Sequence, residues 1–199
     1  TGDILVVAGK GHERFQDYGR FKKKFSDRKE ILDSIKLKNR TLSNNLKVNI
    51  LNEIINSTHI SPQTIIRKAS INSKEIKRND VFFAIKGKKN DGNNFVKEAF
   101  DKGACLAVTS GGKKLKKKII VKDALNILTK ASSILRENIS GKIIAITGSC
   151  GKTSLKELTG RSLSKISQTT YSPKSFNNKF GVPLSLFNLK KNDAFGIFE

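Results

Sequence analysis

With 199 residues, of which 37% are hydrophobic, the chain has room for one large domain or two small ones and enough apolar content to pack a core. No apolar run approaches the roughly 18 residues that a membrane span requires, and no basic segment precedes the first one, so the expectation is a cytoplasmic protein with no membrane span. The 39 basic against 17 acidic side chains leave a formal net charge of +22; the excess peaks at Lys113, Lys114, Lys116, Lys117 and Lys118, but aromatics are not interleaved there and no base-reading motif accompanies it, which argues against nucleic acid as the main partner.

The chain contains no Met, so Thr1 is not expected to be a true start, and the sequence reads as an internal piece of a longer protein. Residues 4–8 (ILVVA) form a strand-like apolar run followed by the turn GKGHE. Asp27 and Glu30 then stand in a capping arrangement before Ile31, Leu32 and Ile35. One strand and one helix cannot bury a core by themselves, so residues 1–35 read as the end of something larger. Residues 36–45 are polar, lack periodicity and read as a linker.

From Leu46 the pattern changes. Leu46, Ile50, Leu51, Ile54 and Ile55 recur at helical spacing. Strands are expected over residues 64–71, 80–85, 105–109 and 119–121, with a helix over 95–102. Asp123 is placed to cap a helix whose Leu125, Leu128, Ala131, Ile134 and Leu135 share one face. Residues 46–140 therefore read as a small mixed α/β domain that ends where Ser140-Gly141 breaks the helix. The two cysteines lie far apart, so no disulfide framework or metal motif is implied. Cys105, inside an apolar run, reads as a core thiol; Cys150 lies in the loop described next. His12 and His59 have no neighbours at metal-ligand spacing.

An apolar run, Ile143 to Ile146, leads into Thr147-Gly148-Ser149-Cys150-Gly151-Lys152-Thr153-Ser154. Glycines let successive backbone N–H groups converge on an anion, the lysine adds a point charge, and a hydroxyl such as that of Thr153 can sit on Mg²⁺. The common P-loop spacing would need a glycine at Ile146, so a shorter form stands here; an ordinary glycine turn between strand and helix is the competing reading. A helix follows, with Leu155, Leu158, Ser162, Leu163 and Ile166 expected on its apolar side. A strand near 168–171, a helix near 182–189 and a strand over 194–198 complete the order. Alternating strands and helices imply an α/β fold with a parallel sheet, whose ligands bind beyond the carboxyl ends of the strands. Both the loop and Glu199 fall at such ends, which makes Glu199 a metal partner for Thr153, or else merely the first residue of a loop.

TGSCGKTS, followed by SFNNKFGVPLSL and a strand ending in Glu199, resembles the central ATP-binding domain of the Mur ligases, the ATP-dependent amide-forming enzymes of peptidoglycan precursor assembly. SFNNKFGVPLS is similar to the branch that adds D-alanyl-D-alanine. INSKEIKRNDVFFAIKGKKNDGNNFVKEAFDKGA is similar to the N-terminal UDP-sugar-binding domain of that branch, with Lys74 in place of the usual Arg and Asn93-Asn94 where a His is common. Residues 1–35, through ILVVAGKGHERFQDYG and FSDRKEI, resemble instead the C-terminal end of the diaminopimelate-adding branch. There the residues corresponding to Gly9 and Glu13 help hold diaminopimelate; a plain strand-to-loop glycine is the alternative. Both pieces in one frame imply a fused bifunctional ligase or a frame running through two adjacent genes.

The resemblance implies four segments: 1–35, the end of an upstream ligase with a Rossmann-like C-terminal domain; 36–45, a linker; 46–140, the UDP-sugar domain; and 141–199, the first half of a parallel-sheet P-loop ATPase domain. It implies ATP and Mg²⁺ as cofactors, with UDP-N-acetylmuramoyl tripeptide and D-alanyl-D-alanine as substrates. ATP would be held by residues 147–154. Lys152 and Glu199 would be catalytic, Lys152 on the β/γ-phosphates, while Thr153 and Glu199 hold the metal. Ser73, Lys74, Gly87, Asp91 and Gly92 would take the uridine end, although 87–92 also reads as a plain turn. Asn177 and Asn178 would face the sugar-peptide or the metal, or else cap the next helix. The amine and adenine contacts are expected beyond Glu199, so this piece alone is not expected to catalyse the reaction; the full-length protein is expected to be a monomer. A folylpolyglutamate-type ligase or another P-loop ATPase is the alternative within the fold, and a basic nucleic-acid-binding module is the alternative outside it.

Overall fold

The computed structural model describes residues 15–17, 19–24, 26, 46–56, 60, 61, 63–87, 90–113, 115–173 and 176–199. The chain divides into two compact units, Thr1–Ser43 and Asn44–Glu199. In the first, β1 (Phe15–Asp17) and β2 (Lys22–Lys24) pair antiparallel, with Phe15 opposite Lys24 and Asp17 opposite Lys22. Gly19, at φ +78°, sits in the connection. This hairpin has no counterpart in the sequence expectations. The strand over 4–8, the helix after Asp27, the 36–45 linker, Gly9, Glu13 and both histidines lie outside the described residues.

The second unit opens with α1 (Leu46–Ile55), which buries Val48, Ile50 and Leu51. A four-stranded parallel sheet follows in the order β3 (Ala69–Ser70), β4 (Val81–Ala84), β5 (Leu106–Thr109), β6 (Lys118–Ile120). Every residue of β4 and β5 is buried, which is why both read as unbroken apolar runs rather than alternating ones. The strand expected over 64–71 shrinks to two ladder residues. The reason lies just before it: the Arg67 N–H donates to Asn79 O at 2.8 Å, and its guanidinium pairs with Asp80 at 2.8 Å. The helix expected over 95–102 starts as a 3₁₀ turn, Gly92–Phe95, and becomes α2 only over Val96–Asp101. Asp123 caps α3 (Ala124–Glu137), accepting from Leu125 N at 2.8 Å and Asn126 N at 3.2 Å.

A second sheet, three-stranded and parallel, has the order β7 (Lys142–Ala145), β9 (Phe195–Phe198), β8 (Thr169–Tyr171). Helix α4 (Lys152–Ser164) leads from β7 to β8, and α5 (Gly181–Phe187) precedes β9. Helix α5 packs into the first sheet's core. The Phe187 ring, fully buried, meets Phe83 edge-on with centroids 5.6 Å apart. Asn188 mimics a strand edge: Ala69 N donates to its Oδ1 at 2.7 Å, and its Nδ2 donates to Ala69 O at 3.1 Å. Ser132 Oγ on α3 donates to Pro183 O at 2.7 Å. One hydrophobic core thus runs from Val48 and Leu128 through Phe187 to Phe198.

Helix α4 corrects one expectation. Leu155, Leu158 and Ile166 point outward, 54%, 66% and 75% exposed, while Lys156 and Gly160 are buried. The residues turned to the sheet are Thr153, Lys156 and Gly160, spaced i, i+3, i+7, because the first turn must aim Thr153 at the end of β9.

Candidate active site

The sheet order brings the two carboxyl-end features together. Ala145 pairs with Phe198, and Ile146 N donates to Phe198 O at 2.8 Å, so residues 147–151 leave the sheet beside Glu199. Gly151 adopts φ +74° and Gly148 φ +148°, conformations that side-chain-bearing residues rarely take. Gly151 is the N-cap of α4 and brings no capping side chain, so the positive end of that helix faces the loop. Lys152 arches back over the loop: its Nζ donates to Gly148 O at 2.5 Å and to Ser149 O at 3.1 Å. Cys150 is exposed.

Glu199 is gripped from several directions although its side chain is only 2% exposed. The Thr153 hydroxyl lies 2.8 Å from Oε2 and 3.0 Å from Oε1, midway across the carboxylate's two-oxygen face. Asn177 Nδ2 donates to Oε1 at 3.1 Å. Lys156 Nζ stands 3.7 Å from Oε2 and 3.7 Å from Glu157 Oε1, with its side chain fully buried. Lys156 escaped the sequence reading because leucines claimed the inner face of α4; its place three residues after Thr153 was the available signal. A hydroxyl and a carboxylate side by side at the mouth of the 147–151 loop are hard oxygen donors of the kind Mg²⁺ takes, since that ion keeps several waters and adds one or two protein ligands. Among the described residues, no cluster of three or more His, Cys, Asp or Glu offers a denser cage.

A cleft of about 640 Å³ opens in the same unit, within the size range of small-molecule sites. It gathers Ser73, Lys74, Gly87 and Gly92, with Ile71, Phe95 and Phe180 as apolar walls. Ser73 Oγ donates to Glu98 at 2.7 Å, and that bond, with Lys102, holds the Glu98 carboxyl below its ordinary range. Asp91 does not line the cleft. Its carboxylate caps the 3₁₀ turn, accepting from Asn93 N at 2.9 Å and Asn93 Nδ2 at 2.7 Å, bonds that hold its pKa down. A Cβ on Gly92 would lie 2.7 Å from Ile85 N, so only glycine lets the turn approach the end of β4. Gly87 N donates to Asn90 O at 2.9 Å, and Gly87, Asn90 and Gly92 all wall the cleft.

The stretch 176–181 reaches both places. Asn177 holds Glu199, whereas Asn178 Oδ1 accepts from Phe180 N at 3.0 Å and Gly181 N at 2.9 Å, which fixes the entry to α5. Phe180 then faces the cleft. Neither Phe95 nor Phe180 was singled out from sequence; a partly exposed aromatic beside a glycine turn was the signal. Cys105, expected in the core, is only half-buried at its edge; its thiol donates to Asp80 O at 3.3 Å, and desolvation pushes its pKa up to about 11.

Residues 66–140 match the Mur ligase family catalytic domain, and residues 146–199 match the Mur ligase middle domain. A UDP-N-acetylmuramoyl-tripeptide--D-alanyl-D-alanine ligase of Buchnera aphidicola is 35% identical over 149 residues, 73% of this chain and 32% of the relative. A UDP-N-acetylmuramoyl-L-alanyl-D-glutamate--2,6-diaminopimelate ligase of Rickettsia rickettsii is 41% identical over 102 residues, 50% of this chain and 21% of the relative. Among solved structures, the MurF ligase of Thermotoga maritima in complex with ADP superposes with a TM-score of 0.55 at 32% identity, covering 67% of this chain and 31% of that one. The chain thus spans about a third of the length of the D-alanyl-D-alanine ligase it matches.

Proposed function

The chain belongs to the Mur ligase family, and on that premise we propose that it supplies the ATP-phosphate and UDP-sugar sides of a peptidoglycan-precursor ligase that joins D-alanyl-D-alanine to UDP-N-acetylmuramoyl tripeptide in the cytoplasm. The observation that carries this reading is the Thr153–Glu199 contact at the mouth of the 147–151 loop, on the same compact unit as the cleft of Ser73 and Lys74.

In the reaction, a carboxylate oxygen of the tripeptide attacks the γ-phosphorus of ATP, and the bond from that phosphorus to the β,γ-bridging oxygen breaks, giving an acyl phosphate and ADP. The amine of D-alanyl-D-alanine then attacks the acyl carbon, inorganic phosphate leaves, and the nitrogen gives up a proton to form the amide. Such phosphoryl transfer needs positioning and charge stabilisation more than covalent help. Lys152 swings from the loop carbonyls onto the β/γ-phosphates, and the amides of residues 148–153 cradle them. Thr153 and Glu199 would hold Mg²⁺, which would supply charge neutralisation for the phosphoryl transfer. Asn177 keeps the Glu199 carboxylate turned to the loop. Ser73, Lys74, Gly87 and Gly92 receive the uridine diphosphate end, with Phe95 and Phe180 against its apolar surfaces.

On the same reading, residues 46–140 serve the nucleotide-sugar and 141–199 the ATP, while residues 1–35 derive from a diaminopimelate-adding ligase. The test is Lys152→Ala in the full-length protein, with ATP turnover followed in the presence of both substrates. Turnover is expected to fall by at least about 100-fold, with UDP-N-acetylmuramoyl tripeptide binding retained. Turnover that survives the substitution overturns the phosphate-cradle assignment.

A further inference from the structure

We infer that Lys156 is a positioning residue that fixes the orientation of Glu199, and so sets how well the site takes Mg²⁺; the inference rests on the ligase reading above. A lysine with its side chain fully buried in the first turns of a helix is rare, because removing an ammonium from water is costly unless carboxylates surround it. Here two do: Glu157 and Glu199, each 3.7 Å from Nζ. The division of contacts around Glu199 gives the lysine its role. Asn177 holds Oε1 at 3.1 Å, Lys156 stands beside Oε2, and Thr153 lies across the face between the two oxygens. With each oxygen held from the side, the carboxylate cannot rotate, and its open face stays turned to Thr153 and the loop.

This arrangement also says why a lysine serves there. A neutral donor would orient Oε2, but it would leave the Glu199 carboxylate, 2% exposed, without the positive charge that stands between it and Glu157. The ammonium lies 3.7 Å from each and holds the Glu199 carboxylate toward Thr153 before any cation arrives. Partners one step removed from a metal ligand typically alter metal affinity by about 10- to 100-fold when removed.

The experiment measures ADP affinity by calorimetry in the full-length protein across a Mg²⁺ series, for wild type, Lys156→Met, Glu199→Gln and the double variant. The wild type is expected to bind ADP more tightly as Mg²⁺ rises. In Lys156→Met the Mg²⁺ concentration for half the effect is expected to increase by about 10-fold or more, with metal-free ADP affinity unchanged. In the Glu199→Gln background, Lys156→Met is expected to add nothing further. Lys156→Arg, which keeps the charge, is expected to fall between wild type and Met, and it carries the same comparison if the Met variant does not fold. A Lys156→Met protein with wild-type Mg²⁺ dependence, or a loss additive with that of Glu199→Gln, overturns the inference. Absence of any Mg²⁺ effect in the wild type would instead sink the metal-site reading itself.

Discussion

Lys47 carries its ammonium into the seam between α1 and α5, 5.3 Å from the centre of the Phe187 ring, where it donates to Arg67 O at 3.2 Å. Burial there pushes its pKa down to about 8; Asp193 and Asp80 pull it back up, and Lys68 and Lys190 push it further down. The folded-state pKa therefore lies below the unfolded one. Below pH 8 both states hold the proton and the folded state bears the full cost of the buried charge. Between pH 8 and about 10.4 the unfolded chain keeps a proton that the folded one has released, so this group's contribution to stability rises with pH. Lys47→Met, which keeps the chain length and the contact with Phe187, is expected to stabilise the protein by about 1–2 kcal/mol at pH 7, after discounting for remaining solvent contact. Urea midpoints of both proteins at pH 7 and pH 9.5 check this, since the advantage of the variant should narrow at the higher pH; a constant gap argues against it. Other single residues were harder to read. Asn177 and Asn178 are adjacent and chemically alike, and only the backbone decides that one reaches Glu199 while the other fixes the start of α5.

At the scale of elements, α5 contributes more than its seven residues suggest. It is the wedge between the two sheets, with Phe187 fully buried against Phe83 and Asn188 pairing with the backbone of β3. Phe187→Ala should cost about 3–5 kcal/mol, the range for emptying a buried aromatic site. Leu158→Ala on the outer side of α4, where the side chain is 66% exposed, should stay within about 0.5 kcal/mol in this chain. Denaturant unfolding of the two variants side by side makes the comparison; equal losses would mean that the core does not run through α5. The contrast marks what periodicity can and cannot say. The buried strands β4 and β5 and the capped helix α3 were legible, because their apolar content and Asp123 answer to local rules. The orientation of α4 was not, because Leu155 and Leu158 satisfy a helical stripe while Thr153 is bound by a partner 46 residues away. The loop motif was legible for the same reason as β4: its glycines, lysine and hydroxyls are contiguous. The cleft residues Phe95 and Phe180 come from separate segments, and only folding brings them together.

Across the whole molecule, the net charge of +22 is the property most plainly visible in the sequence and the least informative about the site. Lys113, Lys116 and Lys117 are exposed on the turn before the edge strand β6, with Leu115 between them rather than an aromatic side chain. A surface of this kind attracts any polyanion at low salt, so affinity alone does not separate a nucleotide-sugar from RNA. Salt dependence does. The screening length falls from about 30 Å at 0.01 M salt to about 10 Å at 0.1 M, which weakens diffuse attraction far more than contacts inside a shaped cleft. A ligand carrying two phosphates should lose about tenfold or less in affinity between 50 mM and 200 mM salt, whereas a polynucleotide touching 6–10 phosphates should lose about 10³- to 10⁵-fold. For the full-length protein, UDP-N-acetylmuramoyl tripeptide is therefore expected to remain bound at 200 mM salt and to be weakened by Lys74→Ala, which lines the cleft. RNA is expected to dissociate over the same range and to be insensitive to that substitution. If RNA held at 200 mM salt while the nucleotide-sugar failed to bind at any salt concentration, the basic surface would be the functional one and the cleft incidental.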